Sequence, residues 1–246
     1  MRRVVIGLAA IASVATMAGS TPVGQSLSAP VTSMDELRGL FTRAASSQRT
    51  WTVVWTDSGI DSDGLSCKVQ VNPIKASDCA FEGHSNIAGT RTITFPDIQY
   101  LTGPMSPHGD ERWFSYAAQD NPELKNSFEY AWADLDTDFY FLPGVATIGA
   151  THPDRIEGRD TTRYDLDIDI RAPRALPSDL SDRAGENITE TVQIWVGARN
   201  LPVRVVIRTT SDHSLDDTTT TITYSNWRQS LDIQAPPADK VVPGEH

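Results

Sequence analysis

Apolar and polar residues alternate with a period of two through much of the C-terminal half of the chain. Tyr164, Leu166, Ile168 and Ile170 interleave with Asp165, Asp167, Asp169 and Arg171. That spacing sets the first group on one face of a strand and the charges on the other. The pattern returns as Val192, Ile194 and Val196 against Thr191, Gln193 and Trp195. After an Asn200-Leu201-Pro202 turn it continues as Val203, Val205 and Ile207 against Arg204, Val206 and Arg208. In a fourth run Thr220, Ile222 and Tyr224 face one way, Thr221 and Thr223 the other; Ser225-Asn226-Trp227, Leu231-Asp232-Ile233 and the stop Ala235-Pro236-Pro237 follow. Antiparallel strands are therefore expected between Ile156 and Pro237, forming a sheet with one continuous apolar face. Such a face needs a cover.

The N-terminal half supplies candidates for that cover. Ser33-Met34-Asp35-Glu36 has the form of a capping box, and Met34, Leu37, Leu40, Phe41 and Ala44 fall on one helical stripe behind it. Trp51-Thr52-Val53-Val54-Trp55-Thr56 reads as a strand with Trp51, Val53 and Trp55 on one side. A polar turn, Asp57 to Gly64, leads into Cys67-Lys68-Val69-Gln70-Val71. Arg91 to Phe95 and Ile98 to Thr102 are short strands around Pro96-Asp97, and Glu111 to Ala117 is another. Pro122 opens a second helix, with Leu124, Phe128, Ala131, Trp132 and Leu135 on one stripe. Phe139 to Leu142 and the turn Pro143-Gly144 follow it, and this segment is the expected lid.

The chain start changes the picture of where such a domain works. Met1-Arg2-Arg3 is basic, Val4 to Ala18 is uncharged and mostly apolar, and Ala18-Gly19-Ser20 is a small-residue cleavage site. That order is a secretory signal over 1–20, too short for a membrane span. Met17-Ala18-Gly19 also resembles the approach to a lipoprotein cleavage site, but Ser20 stands where the acceptor cysteine belongs, and a hydroxyl cannot replace the thiol. The expected product is exported and not lipid-anchored, with a flexible leader over 21–32, one domain over 33–241 and a tail over 242–246. In an exported chain the two cysteines, Cys67 and Cys79, imply a disulfide, expected to stabilise a polar hairpin region. A two-thiol metal site lacks a supporting His or Cys nearby.

The formal charge of −11 argues against nucleic-acid or anionic-membrane binding, which needs clustered Lys and Arg. There is no Gly-x-Ser-x-Gly, His-Glu-x-x-His or phosphate-cradling glycine loop. His84, His108, His152, His213 and His246 are scattered and read as surface residues. Asp57, Asp61 and Asp63 miss a calcium loop at Gly59 and Gln70; Asp134, Asp136 and Asp138 miss it at Phe139 and Val145. Asp165, Asp167 and Asp169 are expected to meet water. Asn187-Ile188-Thr189 has the form of a glycosylation acceptor. No metal, cofactor or catalytic residue is expected.

The spaced residues Ile156-Glu157-Gly158-Arg159-Asp160-Thr161-Thr162-Arg163-Tyr164-Asp165, Gln193-Ile194-Trp195-Val196, Leu201-Pro202-Val203-Arg204-Val205, Thr223-Tyr224-Ser225-Asn226-Trp227 and Ala235-Pro236-Pro237-Ala238 carry a resemblance. In this order of elements, from Ser33 to Val241, the chain resembles the actinobacterial cell-envelope lipoproteins of the LppX/LprG kind, within the superfamily of the lipoprotein carrier LolA. The resemblance implies an α+β fold, a curved antiparallel half-barrel sheet wrapped over helices, with the acyl chains of a lipid, glycolipid or lipoprotein held in the gap. Lining residues would be Trp51, Val53, Trp55, Leu124, Phe128, Trp132, Leu166, Ile168, Val192, Ile194, Val203, Val205, Ile222 and Tyr224. The protein would act as a monomer, with envelope proteins as further partners. The Cys67–Cys79 segment has no counterpart in the family pattern. The competing readings are an envelope interaction or regulatory protein with a filled core and a secreted enzyme; a cleft of converging titratable groups would favour the last.

Overall fold

The computed structural model describes residues 29–58, 64–84, 86–107, 112–117, 146–168, 189–210 and 217–244. The expected second helix, with Leu124, Phe128 and Trp132, lies outside them, as do Ile170, both candidate calcium loops in part or whole, and Asn187.

The α-helix among the described residues is α1, Met34–Ser46. Its capping box forms as the sequence indicates. Ser33 Oγ accepts from the Glu36 N–H at 3.2 Å, and Glu36 Oε2 accepts from the Thr32 N–H at 3.1 Å. These bonds satisfy donors that the first turn cannot pair internally. The Thr32 N–H, together with the Ser33 groups, holds the Glu36 carboxyl below its ordinary value. Leu37, Leu40 and Phe41 are buried on the stripe facing the sheet.

Twelve strands form one sheet. In chain order they are β1 (Thr50–Asp57), β2 (Gly64–Gln70), β3 (Ala76–Glu82), β4 (Arg91–Phe95), β5 (Ile98–Thr102), β6 (Trp113–Ala117), β7 (Ala146–Ile156), β8 (Arg159–Ile168), β9 (Thr189–Val196), β10 (Pro202–Thr210), β11 (Thr218–Ser225) and β12 (Val241–Pro243). Their spatial order is β12-β6-β5-β4-β3-β2-β1-β11-β10-β9-β8-β7, open at both edges and curved. Neighbours are antiparallel except β12 and β6, which are parallel. Two meanders, β1 to β6 and β7 to β11, are therefore stitched together where β1 pairs with β11.

Three strands were not legible as such: β3, β7 and β12, the last straddling the expected domain end at Val241. β3 is masked by its small and polar residues, Ala76-Ser77-Asp78-Cys79-Ala80. β7 carries Gly149 and Pro153, both poor strand formers. Gly149 sits at a register shift between Ile148 and Ala150, where a Cβ would run into the Asp167 carboxylate. β7 turns into β8 through Glu157 and Gly158, both at positive φ (51° and 78°), the backbone signature of a tight primed hairpin turn. At the other end, β12 carries sheet pairing through Pro243, and the Gly244 N–H donates to Ser115 O at 2.9 Å. The ordered pairing thus runs past the expected boundary at Val241. Leu231-Asp232-Ile233 lies outside any strand.

Cys67 and Cys79 are disulfide-bonded and directly opposite each other in β2 and β3. The bond lies in the main apolar cluster, with Cys67 1% and Cys79 3% exposed, rather than in a polar hairpin region. Strand parity explains the difference. Cys67 and Val69 share the inward face of β2, while Lys68 points out.

Removing the Ser33 hydroxyl (Ser33→Ala) is expected to lower unfolding free energy by about 1 kcal/mol, measured by chemical denaturation at neutral pH. Cys67→Ser should lower it by up to about 3 kcal/mol, the chain-entropy scale for a loop of this size. An unchanged denaturation midpoint in Cys67→Ser would refute a stabilising role for the bond.

Candidate functional site

The antiparallel register lines apolar side chains into files running across the strands. One file is Phe81, Leu65, Trp55, Ile222, Val205, Ile194 and Tyr164, each opposite the next on the neighbouring strand. Beside it run Cys79, Cys67, Val53 and Tyr224. On its other side run Ile207, Val192, Leu166 and Ile148. Period-two alternation keeps all of these on one face of the sheet.

Burial is uneven along this face. Val53, Ile194, Val205, Val192, Tyr224, Ile222 and Leu166 are buried, together with Leu37, Leu40 and Phe41 of α1. The helix packs beside β7 and the 3₁₀ turn Ala198–Asn200, and the Val31 N–H just before it donates to Tyr164 Oη at 3.3 Å. Burial pushes the Tyr164 phenol above its ordinary value, partly offset by that bond. Trp55, Leu65, Ile148, Ile168 and Ile207 are only half-buried while packing against the same cluster. Of these, Leu65 was hidden from the sequence reading because it adjoins the polar turn at Gly64.

Aromatic rings close the end of the face where β1 begins. Trp51 and Trp227 lie 5.5 Å apart between ring centroids, and Tyr224 and Trp227 stack at 6.1 Å. The indole Nε1 of Trp51 and of Trp227 is buried without a hydrogen-bond acceptor. Ser77 Oγ, on the same cross-strand file as Trp51, is likewise buried and unpaired. A buried donor without an acceptor costs about 1–3 kcal/mol, so each calls for an explanation.

One residue expected on this face sits elsewhere. Val203 packs against Ile156, Trp195 and Val206 on the opposite side of the sheet. The register of β10 against β9 shifts between Pro202 and Arg204, and such an irregularity re-aims the side chain within it.

That opposite side is not simply wetted. Trp195 is 8% exposed, and its indole N–H donates to Asp154 Oδ2 at 2.8 Å. Asp165, expected in water, accepts from Gln193 Nε2 at 2.8 Å and pairs with Arg163 at 3.1 Å and with His152 Nε2 at 3.3 Å. Asp167 is exposed. The Trp195 indole and the Arg155 N–H, helped by the Arg163 and His152 charges, hold the Asp154 carboxyl below its ordinary value. These carboxylates are engaged in tying strands β7, β8 and β9 together. Among the described residues no group of three His, Cys, Asp or Glu is placed to hold a metal ion, and no helix is long and apolar enough to cross a membrane.

No family model matches the chain, and no curated protein matches it. Solved structures similar to it include the lipoprotein LppX of Mycobacterium tuberculosis, 15% identical over 81% of this chain and 97% of that one, with a TM-score of 0.49. An uncharacterized conserved protein from Thermus thermophilus is 9% identical over 85% and 98% of the two chains, with a TM-score of 0.45. A LolA superfamily protein from Nitrosomonas europaea is 11% identical over 82% and 96%, with a TM-score of 0.30. They include the two groups that the sequence resembles. At such identities the likeness carries no residue's role across to this chain.

The outer network yields a pH prediction. Because the folded carboxyl of Asp154 sits below its ordinary value of 3.8, its stabilising contribution is complete above that value. It is lost as pH falls through the folded value. Melting temperature measured between neutral and strongly acid pH should fall less steeply in Asp154→Asn than in the parent protein. Superimposable pH profiles would show that the indole contact contributes nothing.

Proposed function

We propose that the chain is an exported binding protein that holds acyl chains of a lipid, glycolipid or lipoprotein against the apolar face of its sheet and does no chemistry on them. The observation that carries this reading is the half-buried belt of Trp55, Leu65, Ile148, Ile168 and Ile207 beside a fully buried core. Large apolar side chains left partly open at the rim of a sealed core offer a surface for more apolar matter. Each buried CH₂ of a ligand gains about 0.8 kcal/mol, so an acyl chain of ordinary length can outweigh the cost of association.

In this reading the sheet is a half-barrel wrapped over α1. The signal over 1–20 delivers the protein to the envelope or beyond. Ser20 leaves it without an acyl anchor, and it works as a monomer. The full burial of Val53, Ile194 and Val205 favours a second reading for the part under α1, where these side chains are solid core. Lipid contact is then confined to the belt.

The deciding comparison is between neighbours on β10 that face opposite ways. Ile207→Glu plants a charge in the belt; Arg208→Glu plants one on the exposed outer side. With folding checked by circular dichroism, Ile207→Glu should weaken binding of a fluorescent fatty acid by about tenfold or more, since a carboxylate must be desolvated against the chain. Arg208→Glu should leave it unchanged. Equal affinity in the two folded variants would exclude the belt as the site. If Ile207→Glu does not fold, Ile207→Gln gives the same comparison with a smaller loss.

A further inference from the structure

A second concavity lies where α1 ends and β1 begins. It is a cleft of about 510 Å³ lined by Arg49, Arg228, Gln70, Asn72, Ser230 and Leu231 among others. It is separate from the belt: Thr50 lies at the cleft and Trp55 in the belt, five residues apart on one extended strand, about 17 Å. The lining includes two arginines and, among the described residues, no acidic residue. In a chain of net charge −11 that local balance stands out.

Arg228 is set rather than merely present. The Arg228 backbone is held at φ 67°, a region non-glycine residues rarely enter. Its N–H donates to Thr50 O at 3.0 Å, and the Thr50 hydroxyl donates to Gln229 O. Its Nε donates at 2.9 Å to Oε1 of Gln48, a side chain 3% exposed. Gln48 is itself fixed by donating to Ala44 O at 2.9 Å and to Ser47 Oγ at 2.6 Å. A carbonyl at the end of α1 is thereby capped by Gln48, so the guanidinium is not needed there as a helix cap. With Nε occupied, both terminal amino groups of Arg228 are available. Neither Arg228 nor Arg49 pairs with a carboxylate among the described residues. Backbone strain maintained by a surrounding network is the pattern of functional sites.

We propose that this cleft binds a phosphate ester. Two planar guanidinium forks match a dianionic oxyanion with several oxygens, and the amide and hydroxyl side chains provide further donors. The volume is that of a site for a small organic molecule rather than a bare ion, and Leu231 supplies an aliphatic contact. The phosphate could belong to a soluble ester or to a lipid headgroup; the chemistry recognised is the same.

The test uses the full chain and glycerol phosphate as probe, titrated by calorimetry, with glycerol and glycerate as controls. Glycerol phosphate should bind saturably and glycerol should not. Arg49→Gln should weaken binding by about tenfold or more, the scale of one charge-assisted contact. Arg228→Gln should do the same, and Arg228→Lys should restore part of the loss. Arg49→Gln keeps the test decisive if Arg228→Gln fails to fold. Dihexanoyl phosphatidic acid separates the sources. Binding far tighter than glycerol phosphate marks a lipid headgroup; equal binding marks a soluble ester. No saturable binding, equal binding of glycerate, or unchanged affinity in Arg49→Gln would overturn the proposal. Failure of the belt to bind fatty acid would leave these results untouched.

Discussion

The pairing of β1 with β11 is the constraint on which the rest of the molecule depends. It joins segments at opposite ends of the chain, setting Trp55 opposite Ile222 and Val53 opposite Tyr224. Without it there would be two smaller meanders, each with an incomplete apolar face. Its register also decides which residues face α1. A slip of one residue would point Thr221 and Thr223 at α1 and turn Ile222 and Tyr224 to solvent, since the side-chain period is two. The apolar files across β2, β1, β11, β10, β9 and β8 are therefore a consequence of one long-range choice. The entropy of closing so long a loop must be met before these contacts reward it.

Once that register is set, the two sides of the sheet divide the work. The inner side gathers Leu37, Phe41, Val53, Ile194, Val205 and Tyr224 into one cluster under α1. The outer side of β7 to β10 holds a smaller cluster of Ile156, Trp195 and Val206 beneath the pairs of Asp154, Arg163 and Asp165. The end of β9 is accordingly buried on both sides, with Ile194, Trp195 and Val196 all buried in succession. The bulge at Pro202/Arg204 adds Val203 to the outer cluster.

These details explain what the sequence disclosed and what it withheld. The capping box at Ser33 and the hairpin of β4 and β5 around Pro96-Asp97 were legible because local chemistry settles them. The alternation of β8 to β11 was legible because one side of each strand is strongly apolar. β7 was not, since Gly149 and Pro153 interrupt its pattern and its place is fixed by pairing with β8. The inward aim of the disulfide depends on where β2 starts its alternation, which the polar turn before it obscures. Val203 obeys the alternation in sequence and departs from it in space, because a bulge is a property of two strands together. The role of Asp165 was missed for a similar reason: Gln193 and His152 reach it only across strand pairs. The cleft between Arg49 and Arg228 joins residues far apart in the chain, with no motif to announce it.

Strand β1 sets a polarity gradient through the molecule. At its start, Thr50 is tied to the segment carrying Arg228, beside exposed guanidinium groups. Next along it, Trp51 and Val53 are buried in the main apolar cluster; further on, Trp55 opens toward the half-buried belt. Cationic and apolar regions are thus held at opposite ends of one rigid element. The carboxyls with lowered values, exposed Glu36 and half-buried Asp154, are engaged in a helix cap and an indole contact. The inward-facing Tyr164 phenol has its value raised, by burial. The surfaces left open beside β1 are apolar at one end and cationic at the other. An amphiphile's two halves ask for those same two environments. If both ends prove to bind, β1's length fixes the span that a single ligand must cover to occupy them together.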